Sequence, residues 1–182
     1  MAFYVKYYME VHILDTWFTI EKIDDSTYSI SEYGHWEKVH SYLIIGEKSA
    51  CLIDTGLGIG NIKEVTDSLT SLPIKVITTH VHWDHIGGHK YYEDIYVHKG
   101  DSTWLEEGIP IPLNVIKNYV IKPPITKPFP KNFDINKYTI YKGKASHVIE
   151  DGYVVSLGNR ELQIIYTPGH SPGHVCIHDK SS

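Results

Sequence analysis

Cysteine is scarce in this sequence of 182 residues, which contains only Cys51 and Cys176. Two cysteines cannot form a disulfide framework, and their wide separation does not fit a zinc knuckle. We therefore expect both residues to lie buried in strands. Any metal site has to be sought among other residue types.

Long apolar runs and basic runs are missing as well. No stretch of about 18 uncharged apolar residues occurs, so no membrane span is predicted. Residues 1–20 include Lys6, Glu10 and Asp15 and lack the layout of a signal peptide, so a cytoplasmic location is expected. Lys and Arg total 17 against 22 Asp and Glu, a net charge of −5, and we expect no nucleic-acid or membrane partner.

The length and the alternation of strands with helices favour one α/β domain over residues 1–182. A helix is expected after Asn61 and should end before the proline at position 73, with apolar residues at helical spacing: Ile62, Val65, Leu69 and Leu72. A second, short helix is expected with Asp101 as its cap. Residues 110–130 hold six of the nine prolines and predict an irregular excursion, either a lid or a connector. Strands are predicted at residues 17–23, 27–33, 42–45, 50–53, 76–79, 95–98, 138–141, 153–157, 161–166 and 175–178.

Histidine is in excess, with 12 in total, five of them between positions 80 and 98 and three between 170 and 178. His80, His82, Asp84 and His85 directly follow the predicted strand 76–79. In extended chain, residues i and i+2 project to one side, so His80 and His82 can bind one ion while Asp84 and His85 face a second. Imidazole and carboxylate without thiolate favour zinc, with iron or manganese as alternatives.

A third ligand has to come from elsewhere, because catalytic zinc normally has three protein ligands and an open position. His170 is the preferred candidate, since Pro168 and Gly169 before it favour extended chain followed by a sharp turn at a strand end. His174 is the competing ligand and ranks lower, as a supporting or surface histidine. The other histidines are expected to be surface or hydrogen-bonded core residues: His12, His35, His40, His89, His98, His147 and His178.

These motifs resemble those of the metallo-β-lactamase superfamily, in consistent order over residues 17–180. His80-Val81-His82-Trp83-Asp84-His85 matches the signature of the family, and Asp54-Thr55-Gly56 matches its aspartate–glycine turn. Residues 167–174, Thr-Pro-Gly-His-Ser-Pro-Gly-His, match the turn whose first histidine binds zinc. The residues of these motifs are most similar to those of glyoxalase II-like proteins and related acyl-CoA thioesterases. The resemblance implies an αβ/βα four-layer sandwich.

The resemblance also implies a role for each matching residue. His80, His82 and His170 would hold the first metal, and Asp84 and His85 the second. Asp84 would also act as the catalytic residue that orients or deprotonates the attacking water, while Asp54 would support the ligands. The implied activity is hydrolysis of a small-molecule substrate by a zinc-bound hydroxide, with a thioester favoured over a lactone, lactam or phosphodiester.

The family further requires a bridging aspartate after the Pro-Gly-His turn and usually a last histidine, and neither has a match before Ser182. Asp179 comes too early and lies in a predicted turn. We therefore expect a chain truncated toward its C-terminus, with the second half of the sandwich incomplete. Three alternatives stay open: a catalytically incompetent zinc-binding form completed by another chain as a homo-oligomer or domain swap, a phosphodiesterase, and an iron-dependent member.

Overall fold

A computed structural model describes residues 17–181, so the histidine at position 12 lies outside the described residues. The strands are β1 (Thr19–Asp24), β2 (Thr27–Ser31), β3 (His40–Ile45), β4 (Ala50–Ile53), β5 (Ile74–Ile77), β6 (Ile95–His98), β7 (His147–Ile149), β8 (Val154–Ser156), β9 (Glu161–Tyr166) and β10 (Val175–Asp179). The helices are α1 (Ile62–Leu69), α2 (Ser102–Glu107) and α3 (Leu113–Val120), with a 3₁₀ helix at His89–Tyr91.

The strands form two sheets. The larger has seven strands in the order β1-β2-β3-β4-β5-β6-β7, and the smaller has three in the order β10-β9-β8. β1 to β4 pair antiparallel, whereas β4 to β7 pair parallel, with α1 as the crossover between β4 and β5. Between residues 17 and 181, no helix is long and apolar enough to cross a membrane.

Alternation along the central strands separates two apolar cores. Leu43 of β3 faces one core, where Ile62 of α1 packs, and the neighbouring Ile44 faces the other. The second core lies between the sheets and includes Leu162 and Ile164 of β9. The described residues therefore form three successive layers of helices, large sheet and small sheet, and the α/β sandwich prediction is confirmed.

The outer face of the small sheet carries exposed apolar groups. Ile165 of β9 and Cys176 of β10 both face outward and are exposed. The expectation that both cysteines are buried is therefore wrong for Cys176, because alternation along β10 turns its side chain away from the core. Cys51 is fully buried between the sheets, and burial raises the pKa of its thiol.

Arg160 joins the two sheets. Its Nε donates to Oδ2 of Asp179 over 2.9 Å, and its Nη1 donates to Oγ of Ser26 and Oγ1 of Thr27. Burial alone would raise the pKa of Asp179, but the hydrogen bonds from Arg160 lower it overall. Asp179 is the last residue of β10 and does not lie in the predicted turn.

Three predictions about the elements are wrong. Residues 138–141 form no strand, and Tyr138 is instead buried with its hydroxyl donating to the carbonyl of Leu57. Helix α1 ends at Leu69, before Leu72, and the backbone N–H of Thr70 closes it. Residues 110–130 are not wholly irregular, since they contain α3, and β7 was not predicted at all.

Candidate metal centre

Polar side chains follow three parallel strands at one edge of the large sheet. Asp54 directly follows β4, His80 follows β5, and Asp101 follows β6. The carboxyl ends of parallel strands meet at one edge, which is where ligands usually bind in such sheets. We call residues 80–85 the metal loop and residues 167–174, which follow β9 of the small sheet, the His170 turn.

The structure brings His80, His82 and His170 together. One ring nitrogen from each lies within 4.8 Å of the others, and Nε2 of His80 is 3.1 Å from Nε2 of His170. The ring centroids of all three pairs are 4.6 Å apart. Two facing imidazole nitrogens at this distance are well placed to share a cation.

The electrostatics of His80 and His82 favour the neutral form of both imidazoles. Burial, together with the nearby charge of His85, lowers the pKa of His80 to about 3. Burial and the facing His170 also lower the pKa of His82. Neutral imidazole is the form that binds a metal, and three of them without thiolate suit zinc. This donor set therefore fits the expected metal.

Asp54 supports His80 through Thr79. The buried carboxylate of Asp54 accepts hydrogen bonds from the backbone N–H of Thr79 over 2.8 Å and from its hydroxyl over 2.6 Å. The same hydroxyl is hydrogen-bonded to Nδ1 of His80 over 2.9 Å. Nδ1 is thereby engaged, and Nε2 is left to face His170. Asp54 adopts a φ of 57°, which aspartate tolerates better than most residues.

Asp84 and His85 form a second group beside the three imidazoles. Nδ1 of His85 lies 2.8 Å from Oδ2 of Asp54, and its Nε2 lies 3.3 Å from Oδ2 of Asp84. Burial alone would lower the pKa of His85, but Asp54 and Asp84 raise it to about 10. Burial alone would raise the pKa of Asp84, but His85 lowers it. The imidazole of His85 thus lies between two carboxylates, in the group from which the ligands of a second metal are expected.

The metal loop rests on the aspartate–glycine turn. The backbone N–H of Thr55 donates to the carbonyl of His85 over 2.8 Å, and that of Gly87 donates to Gly56 over 2.8 Å. A Cβ atom on Gly87 would lie 2.3 Å from the carbonyl carbon of Leu57. Only glycine therefore permits this close approach of the two backbones.

His174 lies near the three imidazoles without joining them. Its Nδ1 is 2.9 Å from the hydroxyl oxygen of Thr167 and 3.1 Å from its carbonyl oxygen. Its ring centroid lies 5.3 Å from that of His80 and 5.9 Å from that of His170. These contacts place His174 at the base of the His170 turn, where it can hold the two ends of the turn together.

His89, close to the metal loop in sequence, points away into the core. Its ring is fully buried, with Nδ1 2.7 Å from Oγ1 of Thr55 and Nε2 2.8 Å from Oγ1 of Thr78. Burial lowers its pKa to about 4. Both ring nitrogens are engaged by threonines, so this histidine is a hydrogen-bonded core residue.

Aromatic residues lie beside the metal loop. Trp104 of α2 stacks on His82 with ring centroids 6.1 Å apart, and Tyr119 of α3 lies 6.1 Å from Trp83. Tyr119 is partly exposed, and its carbonyl accepts a hydrogen bond from the indole of Trp36. A separate cavity of about 670 Å³ is lined by Gly87 and residues near 109–113 and 139–142, and by none of the five predicted metal ligands.

Sequence reasoning missed the position of Asp101. The sequence predicts that it caps α2, but its side chain makes no hydrogen bond to that helix. The carboxylate instead contacts Val81 of the metal loop and Ser171 and Gly173 of the His170 turn. These partners are 20, 70 and 72 positions away, so no local spacing could have indicated them.

Comparison with known proteins places these observations in a family. The family model described as "Metallo-beta-lactamase superfamily" matches residues 35–182. Acyl-coenzyme A thioesterase MBLAC2 of Gallus gallus is 26% identical over 180 residues, covering 90% of this chain and 62% of that protein. Probable metallo-hydrolase YqgX of Bacillus subtilis (strain 168) is 23% identical over 150 residues, covering 80% of this chain and 62% of that protein.

A solved structure shares the fold. The class B3 di-zinc metallo-beta-lactamase LRA-12 from an Alaskan soil metagenome superimposes with a TM-score of 0.61 at 19% sequence identity. The match covers 87% of this chain and 55% of that one. The chain thus spans somewhat under two thirds of the length of these relatives, 62% for both named sequences.

Proposed function

This chain belongs to the metallo-beta-lactamase superfamily, and from that premise we propose that it binds zinc and hydrolyses a thioester of a small molecule. The observation that carries the proposal is the meeting of His80, His82 and His170. Their ring nitrogens converge within 4.8 Å although His80 and His170 are 90 positions apart. Imidazoles drawn from two sheets to one point favour metal binding over a chance cluster of surface histidines.

The neighbouring side chains suit hydrolysis. Zinc bound by the three imidazoles would supply a Lewis acid that activates water and polarises the substrate carbonyl. Asp84 is the group we assign to hold the attacking water and accept its proton, because it is the carboxylate of the metal loop and lies in the chain between His82 and His85. His85 stands against Asp84 and stabilises that anion, while Asp54 holds His85 from the opposite side.

A thioester is the proposed substrate class. The supporting observation is the 26% identity to a relative named as an acyl-coenzyme A thioesterase, over 90% of this chain. Trp104 and Tyr119 also offer aromatic surface beside the metal loop, which can hold the apolar acyl part. A phosphodiester is less favoured, because the net charge is −5 and no basic run is present.

The experiment is a hydrolysis assay on the purified chain, with acyl-CoA thioesters of increasing length beside p-nitrophenyl acetate and a chromogenic β-lactam. Turnover is read as loss of thioester absorbance, because the exposed thiol of Cys176 would react with thiol reagents. We expect zinc-dependent cleavage of the thioesters that stops on treatment with a chelator. Zinc-loaded protein that cleaves only the other substrates would contradict the thioester assignment.

A second candidate function is zinc binding at one site without turnover. It is favoured by the limited extent of the cluster, since the metal-ligand group found within residues 17–181 consists of His80, His82 and His170 alone. Asp179 accepts a hydrogen bond from Arg160 and is not part of this group. Elemental analysis distinguishes the two candidates and identifies the metal: two zinc ions per chain with hydrolysis support the first, and one with no turnover supports the second.

We also propose that the protein is cytoplasmic and that it associates with a second copy of the same chain. The two cysteines, Cys51 and Cys176, are both unpaired, which agrees with a reducing compartment. The exposed Ile165 and Cys176 on the outer face of the small sheet are compatible with pairing. Light scattering on the purified chain measures its oligomeric state directly.

A further inference from the structure

The carboxylate of Asp101 lies between the metal loop and the His170 turn. It is fully buried, and its two oxygens accept three hydrogen bonds. Oδ2 accepts from the backbone N–H of Val81 over 2.9 Å and from the hydroxyl of Ser171 over 2.7 Å. Oδ1 accepts from the backbone N–H of Gly173 over 2.7 Å. All three donors belong to the two segments that carry the imidazoles.

The donors are adjacent to the metal ligands in the chain. Val81 stands between His80 and His82, and Ser171 follows His170. A displacement of either backbone segment relative to Asp101 would therefore move an imidazole. Hydrogen bonds to an ionised acceptor are shorter and stronger than neutral ones, so a buried carboxylate can fix both segments at once.

The backbone of the His170 turn packs closely against Asp101 and the residue before it. A Cβ atom on Gly173 would lie 2.5 Å from the backbone nitrogen of Asp101 and 2.7 Å from its Cγ. A Cβ atom on Gly100 would lie 2.5 Å from the carbonyl oxygen of Pro172. Glycine at both positions lets the strand end of β6 and the His170 turn approach backbone to backbone.

A helix-capping role does not account for this carboxylate. Asp101 precedes α2, yet its side chain makes no capping hydrogen bond. Both of its oxygens are engaged by the two segments instead. The side chain is thus committed to holding together parts of the chain that come from two different sheets.

We propose that Asp101 is a positioning residue that sets the distance of His170 from His80 and His82, and so tunes metal affinity without touching the metal. The inference rests on the proposed metal site and not on the substrate. Partners of this kind typically change metal affinity by 10- to 100-fold when they are removed. Breaking the link would let the His170 turn move away from the metal loop.

The test is the substitution Asp101→Asn, measured first as zinc affinity by competition with a chromophoric chelator. We expect an affinity about 10- to 100-fold weaker than that of the unchanged protein, since an amide nitrogen would face an N–H or hydroxyl donor. Ser171→Ala removes one hydrogen bond only, and a smaller loss is expected. This milder variant keeps the test decisive if Asp101→Asn does not fold.

The matched control is Thr66→Val in α1. Thr66 is also fully buried, and its hydroxyl is hydrogen-bonded to that of Tyr92 over 2.9 Å, outside both ligand-bearing segments. This variant is expected to lower the free energy of unfolding without changing zinc affinity. If zinc affinity falls in proportion to the free energy of unfolding in all three variants, Asp101 has only a structural role and the proposal is wrong.

A second readout needs neither zinc nor substrate. In the metal-free protein, the backbone amide hydrogens of Val81 and Gly173 should exchange faster in Asp101→Asn, while those of β4 keep their protection. Unchanged exchange with unchanged zinc affinity would refute the positioning role. If the unchanged protein binds zinc through Asp101-dependent geometry but cleaves no thioester, the proposed function fails and this inference stands.

Discussion

Oδ2 of Asp54 lies 2.8 Å from Nδ1 of His85, and this buried contact sets the charge of the histidine. Burial by itself would make His85 harder to protonate, yet its pKa is raised to about 10. One carboxylate thus supports His80 through Thr79 and holds His85 directly. The aspartate–glycine turn is therefore an electrostatic as well as a structural part of the site.

Replacing Asp54 with asparagine should lower the pKa of His85 from about 10 toward the ordinary value near 6.5. The reason is that the main opposing charge is removed while burial remains. Nuclear magnetic resonance titration of the imidazole in the metal-free protein measures it. Asp94→Asn, next to the exposed His147, is the control and should leave His85 unchanged. A His85 titration that does not move in Asp54→Asn would show that another group holds the proton.

Replacing His82 with alanine should abolish metal binding at the first site, with zinc affinity lower by more than about 100-fold. Two imidazoles cannot replace three. Elemental analysis after dialysis gives the zinc content. His178→Ala, on the exposed face of β10, is the matched control and should retain full content. Full zinc content in His82→Ala would overturn the ligand assignment.

Replacing Asp84 with asparagine should reduce kcat by about 10²- to 10⁴-fold, because the amide cannot accept the proton of the attacking water. Zinc at the three imidazoles should change little, since Asp84 is not part of that group. Steady-state kinetics together with metal analysis of the same sample separates the two effects. An unchanged kcat would remove Asp84 from the reaction.

Acid should destabilise the metal-free protein through His89. Its pKa is lowered to about 4, whereas a histidine in the unfolded chain has a pKa near 6.5. Between these values only the unfolded chain takes up the proton, so the free energy of unfolding falls as pH drops from about 6.5 to 4, by about 3 kcal/mol in all. Urea unfolding at several pH values measures the slope.

The comparison variant for this pH dependence is His89→Gln, which keeps hydrogen-bonding groups but does not titrate. It should lose less stability than the unchanged protein over the same pH range. His80 contributes a slope of the same sign in both proteins, because its pKa is also lowered, and this contribution cancels in the comparison. Equal slopes in the two proteins would show that His89 is not the titrating group.

The sequence predicts those parts of the fold and site that depend on local spacing. Ala50–Ile53, Ile95–His98 and Glu161–Tyr166 form as strands with the predicted bounds, because β-branched and apolar runs between turn residues carry their own signal. His80 and His82 come together as expected, but not through extended chain, because the backbone N–H of His82 donates to the carbonyl of His80 over 3.2 Å and closes a tight turn. The role of His170 is predicted by the Pro-Gly turn at a strand end and by the motif resemblance, because a separation of 90 positions from His80 carries no spacing signal.

What the sequence could not predict depends on tertiary contacts. Tyr138 lies in an apolar segment typical of a strand, but its hydroxyl is bonded to Leu57 and the segment stays irregular. Cys176 belongs to an apolar strand, yet which of its faces is covered depends on the layers around it. Asp101 has the position of a helix cap, and only the approach of the two ligand-bearing segments reveals its other role.

The three imidazoles also bear on how the chain folds. A metal held by His80 and His170 would act as a cross-link that closes a loop of 90 positions. Closing a loop of that size costs about 4 kcal/mol of chain entropy when nothing bridges its ends. The packing of the two sheets must offset this loss of chain entropy before a metal can bind. Zinc would therefore slow unfolding more than it speeds folding. The effect would be largest for an unfolding route that begins with the separation of β5 from β9.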